Sequence, residues 1–101
     1  MEEDTVATLH IEHAIKDLPT WREAFGRAAE LRAAHGVRGY EVRHPVGDPL
    51  RLMIDLRFDD AGAAEGFLAV LHDIWRTPAA SPALVGAPQV TVMETVERTG
   101  T

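Results

Sequence analysis

The sequence contains no cysteine, no asparagine and a single lysine, Lys16. Without cysteine there is no disulfide, no thiolate nucleophile and no cysteine–zinc site. Aromatic side chains are scarce as well, with three phenylalanines, two tryptophans and one tyrosine, so Leu, Val, Ile and Ala must build most of the core. No apolar run approaches the ~20 residues of a membrane span. The opening MEEDTVATLH is acidic and has no apolar stretch long enough for a signal peptide. The expectation is a soluble cytoplasmic protein without a membrane partner. A basic block is missing too: 10 Lys and Arg face 16 acids, a net charge of −6. That balance repels nucleic acid unless the bases gather on one face, so no nucleic-acid partner is expected.

What remains is ordinary globular composition. The 101 residues are 46% hydrophobic and 26% charged, enough for one domain, expected over residues 5–97 with flexible ends at 1–4 and 98–101. A core this small leaves little stability in hand, and association is a common remedy.

Alternation marks four strands. In Thr5–Ala14, Leu9, Ile11 and His13 share one face and Thr8, His10 and Glu12 the other. Val37–Pro45 sets Tyr40, Val42 and His44 opposite Glu41 and Arg43. Arg51–Phe58 sets Leu52, Ile54, Leu56 and Phe58 opposite Arg51, Met53, Asp55 and Arg57. Gln89–Glu97 ends the series, with Val90, Val92 and Val96 on one side. Val46-Gly47-Asp48-Pro49 is turn chemistry and joins strands two and three as a hairpin.

Two helices fill the gaps. Asp17 or Thr20 caps the first, which carries Trp21, Phe25, Ala28 and Arg32 along one stripe and runs to His35 before a Gly36 stop. Asp59 or Asp60 caps the second, which presents Ala64, Phe67, Leu68, Leu71, Ile74 and Trp75. Thr77–Pro88 holds three prolines and reads as a loop. Two helices cannot cover both faces of four strands, so both pack on the apolar one. With right-handed crossovers, the economical solution is an α+β, ferredoxin-like βαββαβ fold with a four-stranded antiparallel sheet. The other sheet face alternates charges of both signs, which suits solvent or a second sheet equally well.

The segment HIEHAIKDLPTWREAFG and its continuation GVRGYEVRHPVGDPLRLMIDLRFDD resemble the dimeric α/β-barrel superfamily, near its antibiotic biosynthesis monooxygenase-like members. The residues that carry the likeness are His13, Asp17, Trp21, Phe25, Gly36, Asp48-Pro49 and Phe58-Asp59, with SPALVGAPQV leading into the last strand; together they span roughly 6–97. The resemblance implies a homodimer with the sheets packed back to back and a pocket between sheet and helices in each subunit. It also implies a choice among cofactor-independent oxygenases of aromatic polyketides, polyketide cyclases and haem-degrading enzymes. Haem degradation in that family relies on an Asn–Trp–His set with the Trp on strand three. RLMIDLRF has no tryptophan and the chain no asparagine, which disfavours haem degradation, removes the Asn that the resemblance implies for quinone-forming oxygenases, and leaves no cofactor expected.

Topology brings one constellation together. Strands one and two end, helix one begins and helix two finishes at the same edge of such a fold. His13, Trp21, His44, His72 and Trp75 are therefore expected at one mouth, with Arg76 beside them and the 77–88 loop as a lid. His13 and His72 are the candidate catalytic bases, since imidazole moves protons near neutral pH. Trp21, His44, Trp75 and Arg76 are the candidate substrate contacts. An apolar pocket with a few polar groups suits a small apolar or aromatic molecule. The histidines lack the local spacing of a helical metal motif, so no metal site is expected. Each candidate also has a structural role open to it: the tryptophans as plain core, His44 as a turn residue, His13 bonded to a nearby carbonyl. Arg32, at the far end of helix one, is expected away from the mouth, bonding the last carbonyls or paired with Glu94. A monooxygenase-like or cyclase-like enzyme thus stands against a non-catalytic dimeric module whose own side chains fill the core. A cavity of about 300 Å³ or more favours the enzyme.

Overall fold

A computed structural model of the chain describes residues 7–77 and 85–100. Strand β1 (Ala7–Ala14) leads into helix α1 (Leu18–Arg27) and a short helix α2 (Ala29–Ala34). Strands β2 (Gly39–Arg43) and β3 (Arg51–Phe58) follow, then helix α3 (Ala61–Trp75) and strand β4 (Val85–Glu94). The sheet order is β2-β3-β1-β4 and every neighbouring pair is antiparallel. This is the ferredoxin-like α+β arrangement, with the helices on one face of the sheet.

The period-2 pattern decides which face they cover. Ala7, Leu9, Ile11 and His13 of β1 and Leu52, Ile54, Leu56 and Phe58 of β3 are all buried, while the residues between them are only half-buried. Ile15, Trp21 of α1 and Ala64 and Phe67 of α3 complete this core. On the opposite face, side chains pair both along and across strands. His10 bonds Asp55 (2.5 Å) and Glu12 (3.0 Å), Arg43 bonds Glu41 (2.5 Å) and Asp55, and Arg51 reaches Glu12 (2.9 Å).

Helix ends follow their signals. The Asp17 carboxylate accepts from the Thr20 amide (2.7 Å) and Asp60 from that of Ala63 (2.8 Å). Of the expected alternatives, Thr20 is therefore the capped residue and not the cap. Asp59 instead accepts two hydrogen bonds from the Arg38 guanidinium. Gly36, at φ +87°, closes α2: the Val37 amide returns to the Arg32 carbonyl and the Gly36 amide to that of Ala33.

Two elements differ from expectation. The first helix does not run unbroken to His35 but breaks at Ala28 (φ −97°, ψ 12°). There the Phe25 carbonyl is taken by the Ala28 amide (3.2 Å) and by the Arg32 guanidinium (2.6 Å). A side chain that claims a helical carbonyl interrupts the ladder, and Gly26 nearby gives it little resistance. The last strand begins at Val85, not Gln89, and ends at Glu94, leaving Val96 fully exposed. Gly86 (φ +78°) and Pro88 do not stop it, because they form a bulge. β4 pairs Glu12 with Gln89 and Ala14 with Val85, leaving three residues opposite His13. Proline has no amide to give the ladder, which an edge strand tolerates at a bulge. The expected lid falls largely on 78–84, outside the described residues.

Candidate functional site

A cavity of about 120 Å³ lies where α1 and α3 part above β1 and β3. Its walls are apolar, from Ile11, Ile54, Leu71 and Trp75 among others, and two of its lining side chains carry charge or titrate: His13 and Arg32. A larger groove of about 480 Å³ runs along the outer side of α1 towards β2. Trp21, Phe25 and Arg32 line both spaces and form the partition between them.

His13 occupies a special register position. It pairs with Leu52 on β3, but on the β4 side the bulge removes its partner. The ring is 6% exposed and its Nδ1 lies 3.3 Å from the Ala14 carbonyl. A carbonyl can only accept, so Nδ1 carries the proton and Nε2 the lone pair. Nε2 takes no hydrogen bond among the described residues and so keeps some exposure, since every fully buried polar side-chain atom there has a partner. Burial lowers the pKa of this imidazole, the Ala14 bond offsetting it only in part. His13 is therefore a neutral base on an apolar cavity wall.

An aromatic row continues from it. Trp21 lies 6.4 Å from the His13 ring and stacks on Phe25 at 4.6 Å, and Phe25 meets Tyr40 edge-on at 5.0 Å. The Arg32 guanidinium sits 3.8 Å over Phe25 and 5.1 Å from Tyr40. Arg32 is 8% exposed, and no carboxylate pairs with it among the described residues. Loss of water lowers its pKa, partly offset by Tyr40.

The expected mouth forms only in part. His13, Trp21 and Trp75 meet at the cavity. His44 lines the groove instead, exposed, with Nδ1 2.8 Å from the Pro45 carbonyl. His72 lies on the exposed side of α3, its ring 5.8 Å from Trp75, and Arg76 is exposed and paired with Asp73 at 2.6 Å. Neither lines the cavity, because their positions fall off the apolar stripe of α3. Arg32 corrects the expectation the other way. The break at Ala28 folds its side chain back onto Phe25, so it reaches the cavity and forms no pair with Glu94. The signal was present in the sequence, as a lone arginine on an otherwise apolar helical stripe. The cavity volume is also well below the 300 Å³ that a sizeable ligand pocket needs.

No family model matches the chain, and neither does any curated protein. Solved structures do. A cofactor-independent oxygenase of Streptomyces nogalater is 13% identical with a TM-score of 0.64, covering 96% of this chain and 97% of its own. A dimeric ferredoxin-like protein from an uncultured marine organism is 11% identical (TM-score 0.62; 95% and 100% covered). The chain shares their ferredoxin-like fold. A haem-degrading protein of Mycobacterium tuberculosis, solved with two haems in its active site, has the fold as well, at 18% identity and a TM-score of 0.63 (92% and 99% covered). Such identities establish the ferredoxin-like architecture and leave the chemistry to the side chains. Among the described residues no helix is long and apolar enough to cross a membrane, and no three acidic or histidine side chains group as metal ligands.

Proposed function

We propose that the protein is a homodimer, joined through its charged sheet face, that binds a small aromatic molecule between sheet and helices and acts on it by proton abstraction at His13. The observation that carries this reading is a buried imidazole, tied through Nδ1 to the Ala14 carbonyl, on the wall of a cavity that Trp21, Phe25 and Trp75 also line. A cavity of about 120 Å³ is close to the ~150 Å³ that holds one benzene ring, so the occupant is a single ring, or a larger molecule whose remainder lies in the groove.

The chemistry needs only the substrate and dioxygen. Nε2 accepts the proton of an acidic phenol or enol, and the carbanion so formed adds dioxygen. The resulting hydroperoxide loses water to leave a ketone. One CH₂ and one O₂ become one C=O and one H₂O, the substrate supplying the electrons. A lowered histidine pKa keeps the base neutral at neutral pH. Support for dimerisation comes from the sheet face, where His10 and Asp55 side chains are only 22% and 18% exposed within one chain. The similarity to a dimeric ferredoxin-like structure supports it too.

The test is calorimetric titration with 4-methylphenol. Saturable binding is expected, weakened roughly three- to tenfold in His13→Phe, which removes one hydrogen bond. Absence of saturable binding up to millimolar concentrations refutes the ligand site. The smallness of the cavity favours the second reading, a non-catalytic dimeric module; dimers that neither bind the phenol nor consume oxygen with an anthrone would establish it.

A further inference from the structure

Arg32 is a charge that the phenol-binding reading does not use. Taking a guanidinium out of water is costly unless an anion or a full set of acceptors replaces the water. Of its five N–H donors, one is given to the Phe25 carbonyl at 2.6 Å. Its planar face is covered by Phe25. Every buried side-chain polar atom among the described residues has a partner. The donors left over therefore open onto the cavity and the groove that Arg32 lines.

The groove supplies an independent observation. In a chain of net charge −6, it is lined by Arg22, Arg32, Arg43 and His44 and by no carboxylate at all. Arg43 is neutralised by Glu41 and Asp55 on the far face of the sheet. Arg22, exposed on α1, has no acidic partner among the described residues. A concave surface of one sign in an oppositely charged molecule concentrates the complementary ion.

We propose that Arg32 is the anion-recognising group of the site and that the ligand is an aromatic carboxylate, entering through the groove with its ring in the cavity and its carboxylate on Arg32. The inference rests on the reading of the cavity as a ligand site and adds the class of ligand. A planar guanidinium whose stacked face is held by an aromatic ring presents its edge to a carboxylate, which takes two parallel N–H bonds.

The experiment compares 4-hydroxybenzoate with its methyl ester by calorimetry on the full chain. The two share ring and phenol and differ only in the charge. The unaltered protein should bind the acid roughly tenfold or more tightly than the ester, and added salt should narrow that gap. Arg32→Gln should bring acid and ester to equal affinity, whereas Arg32→Lys should keep part of the preference. Arg22→Gln, an exposed change with little bearing on folding, should weaken the acid alone. Equal affinity for acid and ester overturns this inference while leaving the aromatic site standing. A folded Arg32→Gln protein that still prefers the acid overturns it as well. Binding of neither compound overturns both.

Discussion

Replacing Trp21 by alanine probes the core and the site at once. The ring is 6% exposed, stacked on Phe25 at 4.6 Å and set against His13 at 6.4 Å. Large-to-small changes of a buried tryptophan cost about 3–5 kcal/mol. Trp21 faces open space on both sides, the cavity and the groove, so it has fewer atoms to lose contact with than a residue packed all round. The lower end, about 3 kcal/mol, is therefore expected. For a domain near 100 residues each kcal/mol moves the midpoint by about 4–8 °C, giving a fall of roughly 12–24 °C. Trp75 borders only the cavity and is half-buried, so Trp75→Ala should cost less, about 1–2 kcal/mol. Thermal unfolding followed by circular dichroism, at one fixed protein concentration, measures both. A fall below about 5 °C for Trp21→Ala, or a larger loss for Trp75→Ala, refutes the claim that Trp21 is the shared wall of the two spaces.

Further outcomes follow from the same geometry. His10 and His13 should give opposite limbs to a stability–pH curve. Burial of His10 opposes its charge, but the hydrogen bonds that its ring donates to Asp55 and Glu12, with their charges, outweigh this and raise its pKa above 6.5. Its contribution is complete below 6.5 and lost as pH rises through the folded value. His13, lowered by burial, costs stability as pH falls below 6.5 towards its folded value; His10→Gln should flatten only the upper limb of a urea-midpoint series. Asp60→Ala should lose about 1 kcal/mol through the missing cap on the Ala63 amide; an unchanged urea midpoint would contradict that. Arg57→Glu, on the charged face of β3, should shift sedimentation equilibrium towards monomer, and an unaltered dimer would place the interface elsewhere.

The fold was legible because β1 and β3 bury alternate residues without exception and both long helices begin at an aspartate whose carboxylate takes an amide. Less legible was anything set by the sum of two local effects. Gly86 and Pro88 are breakers in isolation, and only the neighbouring β1 ladder turns them into a bulge that frees one side of His13. The Ala28 break shows no strong breaker at its own position; it depends on a side chain four residues later reaching back to Phe25. For the site, topology brought His13, Trp21 and Trp75 together, since each lies on a face that must meet the core. His44, His72 and Arg76 share their end of the layer but not their face, and chain order carries no information on that difference. Arg32 was visible as an irregularity on an apolar stripe, yet its direction depended on the helix break.

The central claim is that His13 is a neutral base whose Nε2 faces a ligand cavity. Long-range ¹⁵N–¹H correlation of the imidazole, recorded at neutral pH with and without 4-methylphenol, tests it most directly. The account predicts the Nδ1–H tautomer in the free protein and a shift of Nε2 that saturates with the phenol. A protonated Nε2, or an Nε2 resonance that ignores the phenol, would contradict it.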